Sequence, residues 1–540
     1  RVLPVRAIPA AIPAVASLID HTPLLRGLVE SGLGAHLTDA LLEAAVKAGN
    51  ALAQEPVGLL FDAVTHGLQL REARARYRVW QQWDETLSGR AGGHRADPLD
   101  PLPRGAVFPP GPIEQVANRV GTVALGAAAV SLVPFRSPQR ALGLVRAGVT
   151  GAARMGRESF ATQLGRNLAE QRVLELDPDA LRRLDRVSCV LIDAEVLVTP
   201  RQVVDQVLAV DGRNQTAADL TVRVHELLDL AHPAAPHRRS GWSVAPYGGS
   251  PTALAELPAH LADAVQARHR AGALTVGIRH HRRLVGVAIV VPELDPLAEA
   301  VVAAARQAGS VVVAQTAGDG LGERLGITRS LPGGAQLDES VQQLQADGHV
   351  VALVSADARA ALAVADVGIG IAGRTPASPW HADLLTGPDL TGACAVLQAV
   401  PLAGRASRRS AQLALGGSVL GGVLAGIGPA AGAGARAVLP VYGMTLFSLV
   451  LAGWYAAAAR RIPAPVPVQR VPWHAMPAGA VLDELGSSVR GLNPQEAQRR
   501  NGKLPAASEQ EQGGLGQAVL DELANPITPT LAAGAGVSAG

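Results

Sequence analysis

Asp179-Ala-Leu-Arg-Arg-Leu-Asp-Arg-Val-Ser-Cys-Val-Leu-Ile-Asp193, continued by Ala194-Glu-Val-Leu-Val-Thr199, is the stretch that decides the fold. A charged helical turn gives way to an apolar run, 187–192, short enough for a buried strand, and the run ends on a carboxylate. Outward from it, between about Arg182 and Gly373, short β-branched runs alternate with alanine-rich segments. The runs 187–192, 273–278, 284–291, 310–315, 350–355 and 367–371 read as strands, and 297–308 and 337–346 read as helices between them. That alternation predicts a doubly wound parallel sheet. Asp193 then stands at the carboxyl end of a strand, where such sheets hold their reactive groups.

The chain has 540 residues, 48% of them hydrophobic and only 3% aromatic, with positive mean hydropathy. Length and apolarity together predict several domains and a membrane component. A net charge of +2 offers no broad attraction for nucleic acid, which is excluded as a partner. The basic residues are almost all arginine, Lys47 and Lys503 being the only lysines. Cys189 and Cys394 are isolated, without a CxxC or a histidine cluster, so they read as small buried hydrophobes rather than a disulfide or zinc ligands.

Two apolar stretches, 411–428 and 437–457, are joined by the small-residue loop Pro429–Ala435, and each approaches the ~20 residues that cross a bilayer as a helix. Arg405, Arg408 and Arg409 precede the first, and Arg460 and Arg461 follow the second. Both outer ends are therefore expected on the cytoplasmic side. The run 120–135 is marginal for a span. Upstream, Thr38 reads as the cap of one helix and Pro56 as the first residue of another. The basic segment 71–83, with Tyr77, Trp80 and Trp83, fits a helix on a membrane surface or a solvated face with packed aromatics. The division is a helical region 1–91 open to membrane association, a linker 92–112, a membrane segment 113–180 leading into the α/β domain 181–373, a hairpin 405–461, a proline-rich linker 462–476 and a helical module 477–540. The chain opens on Arg1 and stops inside an apolar run, so it reads as a piece of something longer.

The quoted stretch resembles the approach to the phosphorylation site of P-type ATPases, where a strand ends in D-K-T-G-T-L-T. Here those seven positions read Asp193, Ala194, Glu195, Val196, Leu197, Val198 and Thr199. The resemblance continues through Leu284-Val-Gly-Val-Ala-Ile, Asp295-Pro-Leu, Leu344-Gln-Ala-Asp-Gly-His-Val-Val-Ala and Ala365-Asp-Val-Gly-Ile-Gly, and closes with the hairpin in place of the fifth and sixth membrane helices. Arg490-Gly-Leu-Asn-Pro-Gln-Glu-Ala-Gln-Arg-Arg, with Lys503-Leu-Pro and Leu523-Ala-Asn-Pro, is similar to the amino-terminal module of calcium-type P-type ATPases. Together these look like a double-length mycobacterial type, a degenerate first half followed by the start of a second ATPase. The resemblance implies a haloacid-dehalogenase-like cytosolic α/β domain, transmembrane helices and a helical N-terminal module. It also implies a multi-pass place in the plasma membrane, contact with lipid and with a downstream ATPase half, and a transported cation whose identity stays open.

The family uses ATP and magnesium, and phosphoryl transfer there needs a carboxylate nucleophile, a cation, donors for the phosphate oxygens and acidic metal ligands. Asp193 matches the nucleophile. Ala194 replaces the lysine, Glu195 brings a second negative charge, and Val196 and Leu197 replace the small and hydroxylated residues of the loop. No lysine lies between Lys47 and Lys503, and no arginine within 331–350 replaces the family's second lysine. By the resemblance Thr316 is a remnant of the phosphate-binding threonine, although Ala317 follows it and Asp319 comes one position late. Asp357 is the single carboxylate left in the magnesium loop, opposed by Arg359, while Asp366 supports a strand. The expected function is a catalytically degenerate regulatory or structural half, with no working cofactor in this stretch and transport chemistry beyond residue 540. The alternatives are a membrane scaffold without transport and a haloacid-dehalogenase-type phosphatase, whose D-x-D spacing Asp193 and Glu195 share.

Overall fold

A computed structural model describes residues 11–52, 56–88, 104, 106–133, 136–211, 216–248, 254–270, 272–315, 320–375, 378–468 and 478–501. The chain divides into two compact units, Arg1–Ala217 with Leu228–Arg470, and Ala218–Leu227 with Val471–Gly540. The second unit contains the short helices Ala478–Glu484 and Pro494–Asn501. Asn493 accepts the Glu496 N–H at 2.7 Å, capping the latter helix where Pro494 occupies its first turn.

Among the described residues of the first unit the strands are β1 (Leu174–Glu175), β2 (Cys189–Asp193), β3 (Val198–Ala209), β4 (His237–Arg239), β5 (Trp242–Pro246), β6 (Leu274–His280), β7 (Arg283–Leu294), β8 (Ser310–Gln315), β9 (Arg329–Pro332), β10 (Val351–Ser355), β11 (Val367–Ile371) and β12 (Leu384–Thr386). Seven form one sheet in the order β1-β12-β11-β10-β2-β8-β9, parallel except for β1. Its central strands are apolar on both faces because both are covered. Cys189 and Leu191 face a layer made by the helices Leu337–Ala346 and Arg359–Val364. Val190 and Ile192 face the opposite layer, made by the Ala298–Ala308 helix and the first half of the Thr391–Gly426 helix. From β2 the chain builds outward through β8 and β9 on one side and through β10, β11 and β12 on the other. The order reverses between β2 and β10, so Asp193 and Ser355 end adjacent strands at a topological switch point.

The runs 273–278 and 284–291 do not join this sheet. They are β6 and β7 of a separate antiparallel sheet, ordered β3-β7-β6-β5-β4. Parallel pairing needs a crossover of a dozen or more residues, whereas only His281 and Arg282 separate β6 from β7. Both adopt positive φ, 43° and 73°, as a two-residue hairpin turn of the primed type requires. Neither is Asn or Gly, so the turn has no sequence signal.

The helical part of the unit comprises α1 (Ala11–His21), α2 (Pro23–Leu33), α3 (Ala35–Leu52), α4 (Pro56–Ser88), α5 (Pro112–Leu132), α6 (Pro138–Ala147) and α7 (Gly151–Glu170), followed after β1 by α8 (Asp179–Arg183). Pro56 opens α4, but Thr38 lies inside α3, where its hydroxyl donates to Gly34 O at 2.9 Å instead of capping a helix. Thr391–Gly426 and Ala433–Ala459 form a helical hairpin. Of the described helices, Ala433–Ala459 is long and apolar enough to cross a membrane. It packs on α7 through small residues. The Ser448 hydroxyl donates to Ala152 O and the Ser159 hydroxyl to Leu449 O, both at 2.7 Å, and Asn167 donates to Ala456 O at 2.9 Å. A Cβ on Gly156 would fall 2.0 Å from Ser410 Oγ, so this close approach requires glycine.

Three ties hold the helices to the large sheet. The C-terminal half of α4 lies along its β1/β12 edge, with Val79 against Leu174 and Leu385, the Trp83 indole donating to Arg172 O at 3.0 Å, and Trp80 beside Trp380. Of the aromatics in 71–83, Trp83 is thus packed on protein, while Tyr77 and Trp80 stay exposed. Arg182 of α8 binds Glu158 of α7 at 2.6 Å and Glu72 of α4 at 3.0 Å. Arg157 of α7 binds Glu114 of α5 and Asp185.

Candidate functional site

The site is built where β2 and β10 end. Asp193 is buried, and its Oδ2 accepts the Ser355 hydroxyl at 2.7 Å while its Oδ1 faces the Glu195 N–H at 3.4 Å. Burial pushes its pKa up to about 6; the Ser355 hydrogen bond opposes this, and the Glu195 and Asp357 carboxylates add to it. Asp193 therefore meets a hydroxyl and negative charge, with no ammonium beside it.

The segment after Asp193 is a single 3₁₀ turn, Ala194–Leu197. Val196 and Leu197 are fully buried in the layer that also holds Ile192, so the turn is pulled into the core and its side chains offer nothing to an anion. Glu195 is exposed, and its backbone N–H is what meets Asp193. Thr199 has left the site: its hydroxyl donates to Glu293 at 3.0 Å, cross-linking β3 to β7.

Two arginines that sequence spacing did not bring to Asp193 stand near this turn. Arg374 donates to Val196 O at 2.8 Å and Pro388 O at 2.9 Å and forms an ion pair with Asp295. Asp295 in turn accepts the Leu297 N–H at 2.8 Å, so the Asp-Pro-Leu element and Arg374 pin the turn in place. Arg324 lines a cavity of about 80 Å³ with Asp193, Glu195, Gln315 and Gly333, and its guanidinium donates to Pro292 O at 3.0 Å. Thr316 and Asp319 lie outside the described residues.

Asp357 follows β10 and is exposed, its charge felt at Asp193 as repulsion. Asp366 lies at the opposite end of the sheet, where its carboxylate accepts the Val351 N–H at 2.8 Å and pairs with Arg104 at 2.6 Å. It supports the strands, as its place before β11 leads one to expect. Among the described residues, no group of three or more acidic, histidine or cysteine side chains converges as a metal site.

No family model matches the chain. It is 32% identical over 609 aligned residues to "Probable cation-transporting ATPase I" of Mycobacterium tuberculosis, an alignment covering 99% of this chain and 36% of that protein. The protein of the same name in Mycobacterium leprae matches at 32% over 602 residues, again with 99% and 36% coverage.

The chain is similar to part of proteins named as probable cation-transporting ATPases.

It spans 36% of the length of these curated ATPase relatives. Among solved structures, a zinc-transporting PIB-type ATPase in its E2.Pi state aligns with 72% of this chain and 66% of its own, at a TM-score of 0.42 and 15% identity. The strand ending on Asp193 and the Asp295-Pro-Leu element quoted from the sequence are both present, and the turn after Asp193 is packed into the core. Ser355 stands just before Asp357, the single carboxylate by which sequence reading knew this loop. A hydroxyl four residues before the Arg359–Val364 helix was the available signal, since Ser355 Oγ also accepts the Ala358 N–H there at 3.3 Å.

Proposed function

We propose that this chain is the catalytically silent part of a longer cation-transporting ATPase of the plasma membrane, a haloacid-dehalogenase-like domain kept as a structural or regulatory body. ATP hydrolysis, magnesium binding and ion transfer then belong to the part of the protein that this chain does not cover. The observation that carries this reading is the setting of Asp193. Its carboxylate is buried beside a hydroxyl, the following turn is packed into the core, and the lysine of the family's motif is Ala194. Removing one cationic or metal-binding group from a phosphoryl-transfer site costs several kcal/mol of barrier, each ~1.4 kcal/mol being tenfold in rate, and here several are absent together.

The helical hairpin agrees with a silent role. Residues 411–459 contain no Asp, Glu or Asn, leaving a cation none of the carboxylates or asparagine carbonyls that hold it inside a membrane. The test is Asp193→Asn in the full-length parent protein reconstituted in vesicles. ATP-driven cation uptake and acid-stable, hydroxylamine-sensitive phosphoenzyme are expected to match the unmodified protein. Loss of both would mean that Asp193 is phosphorylated and the reading is wrong.

A further inference from the structure

The antiparallel sheet carries an exposed basic end that the ATPase reading does not use. The hairpins β4–β5 and β6–β7 turn side by side, each through two residues of positive φ, Ser240 and Gly241 at 50° and 78°, His281 and Arg282 at 43° and 73°. Just inside these turns the register aligns Arg239 with Trp242, Trp242 with His280 and His280 with Arg283. Directly paired antiparallel residues share a face, so the four side chains form one cross-strand row. The central rings confirm it, Trp242 and His280 stacking at 4.3 Å with 22° between their planes. Arg239 and Arg283 at the two ends are exposed, as are Arg238 and Arg282 beside them. Arg279 on the next row is already bound to Glu256 at 2.8 Å.

We propose that this row is a docking surface for an extended acidic peptide segment. Strands lie ~4.8 Å apart, which puts the two end arginines roughly 14 Å from one another. An extended chain advances ~3.3 Å per residue, so carboxylates four residues apart span roughly 13 Å and reach both guanidiniums. The planar fork of arginine matches a carboxylate in two parallel hydrogen bonds, which lysine does not. The stack uses one face of each ring and His281 stands against His280 at 4.4 Å, which leaves Trp242 alone to meet a base, whereas single-stranded nucleic acid binding relies on successive open aromatic faces. Tight turns at both hairpin tips hold the row in place before a partner arrives. The surface is also separate from the Asp193 site. β7 runs 12 residues from this end to the neck at Leu294, roughly 36 Å of extended strand.

Fluorescein-labelled octaglutamate, titrated into the full chain in detergent and followed by anisotropy, tests the surface. Binding is expected to weaken about tenfold in Arg239→Glu and further in the double variant Arg239→Glu/Arg283→Glu, with thermal midpoints unchanged. Arg270→Glu, an equal change of charge on an exposed helical position of the same unit, is the control and should bind as the parent does. Three results would overturn the proposal: no binding to the parent chain, an equal loss in Arg270→Glu, or displacement of the peptide by an oligothymidylate that binds more tightly and is itself lost in the double variant.

Discussion

A carboxylate under 10% exposed that keeps its charge is stabilised by a cation or by several donors, and the described residues give Asp193 the Ser355 hydroxyl at 2.7 Å and the Glu195 N–H at 3.4 Å. With its folded pKa raised to about 6 from 3.8, the native state holds a proton that the unfolded chain has already released. As pH rises from about 4 through about 6 the native state loses stability by up to ~3 kcal/mol, and above that the loss is constant. Asp193→Asn keeps an acceptor for Ser355 and removes the charge. Its stability over the parent chain should be near zero at pH 4 and reach about 1–3 kcal/mol at pH 7.5 by urea unfolding. A functioning anion site would give the opposite sign. The loss of the lysine was readable beside Asp193, because motif neighbours are chain neighbours. Arg324 and Arg374 were not, since they lie over a hundred residues downstream and only the parallel pairing of β8, β2, β10 and β11 brings the segments after those strands to the same end of the sheet.

Single elements were legible where burial is two-sided. β2, β8, β10 and β11 are unbroken apolar runs because helices cover both of their faces, and the sequence locates each within a residue or two. β3 was missed. Its pattern of partly exposed positions belongs to a strand with one wet face, and Pro200 and Arg201 disguise it. The partners of β6 and β7 were misjudged for the related reason that period alone does not distinguish a parallel neighbour from an antiparallel one. The ion pairs between elements were also invisible, although they bear much of the load where helices meet sheet. Arg182 is largely covered and holds Glu72 and Glu158 at once, so Arg182→Ala leaves two enclosed carboxylates facing each other. A loss of about 3–5 kcal/mol is expected, measured by thermal unfolding in detergent. A change under about 1 kcal/mol would mean that the two glutamates find water or other donors.

At the scale of the molecule, the hairpin Thr391–Gly426 and Ala433–Ala459 joins two environments in one continuous piece. The first half of its leading helix belongs to the core of the large sheet, and its later turns expose Leu415, Val419 and Val423 outward. With arginines at both outer ends, its turn is expected outside the cell. Ala431 is exposed in that turn, so Ala431→Cys should react with an impermeant maleimide added to intact cells, whereas the native Cys189 and Cys394 are buried. Labelling that needs permeabilised cells would reverse the topology. The α/β division and the hairpin could be read from hydropathy and charge because both are long-range averages. The split into two sheets could not, for it depends on a single pairing.

That split leaves a distinctive seam. The chain leaves the large sheet at Leu197 and returns at Asp295, and the Asp295 N–H donates to Leu197 O at 2.8 Å across the gap. Both ends of the five-stranded lobe are therefore stitched together at its base before any of its own strands is counted. A lobe inserted through so narrow a stem behaves as a cassette. It can lengthen, shrink or acquire a new surface over generations without disturbing the layers beneath it.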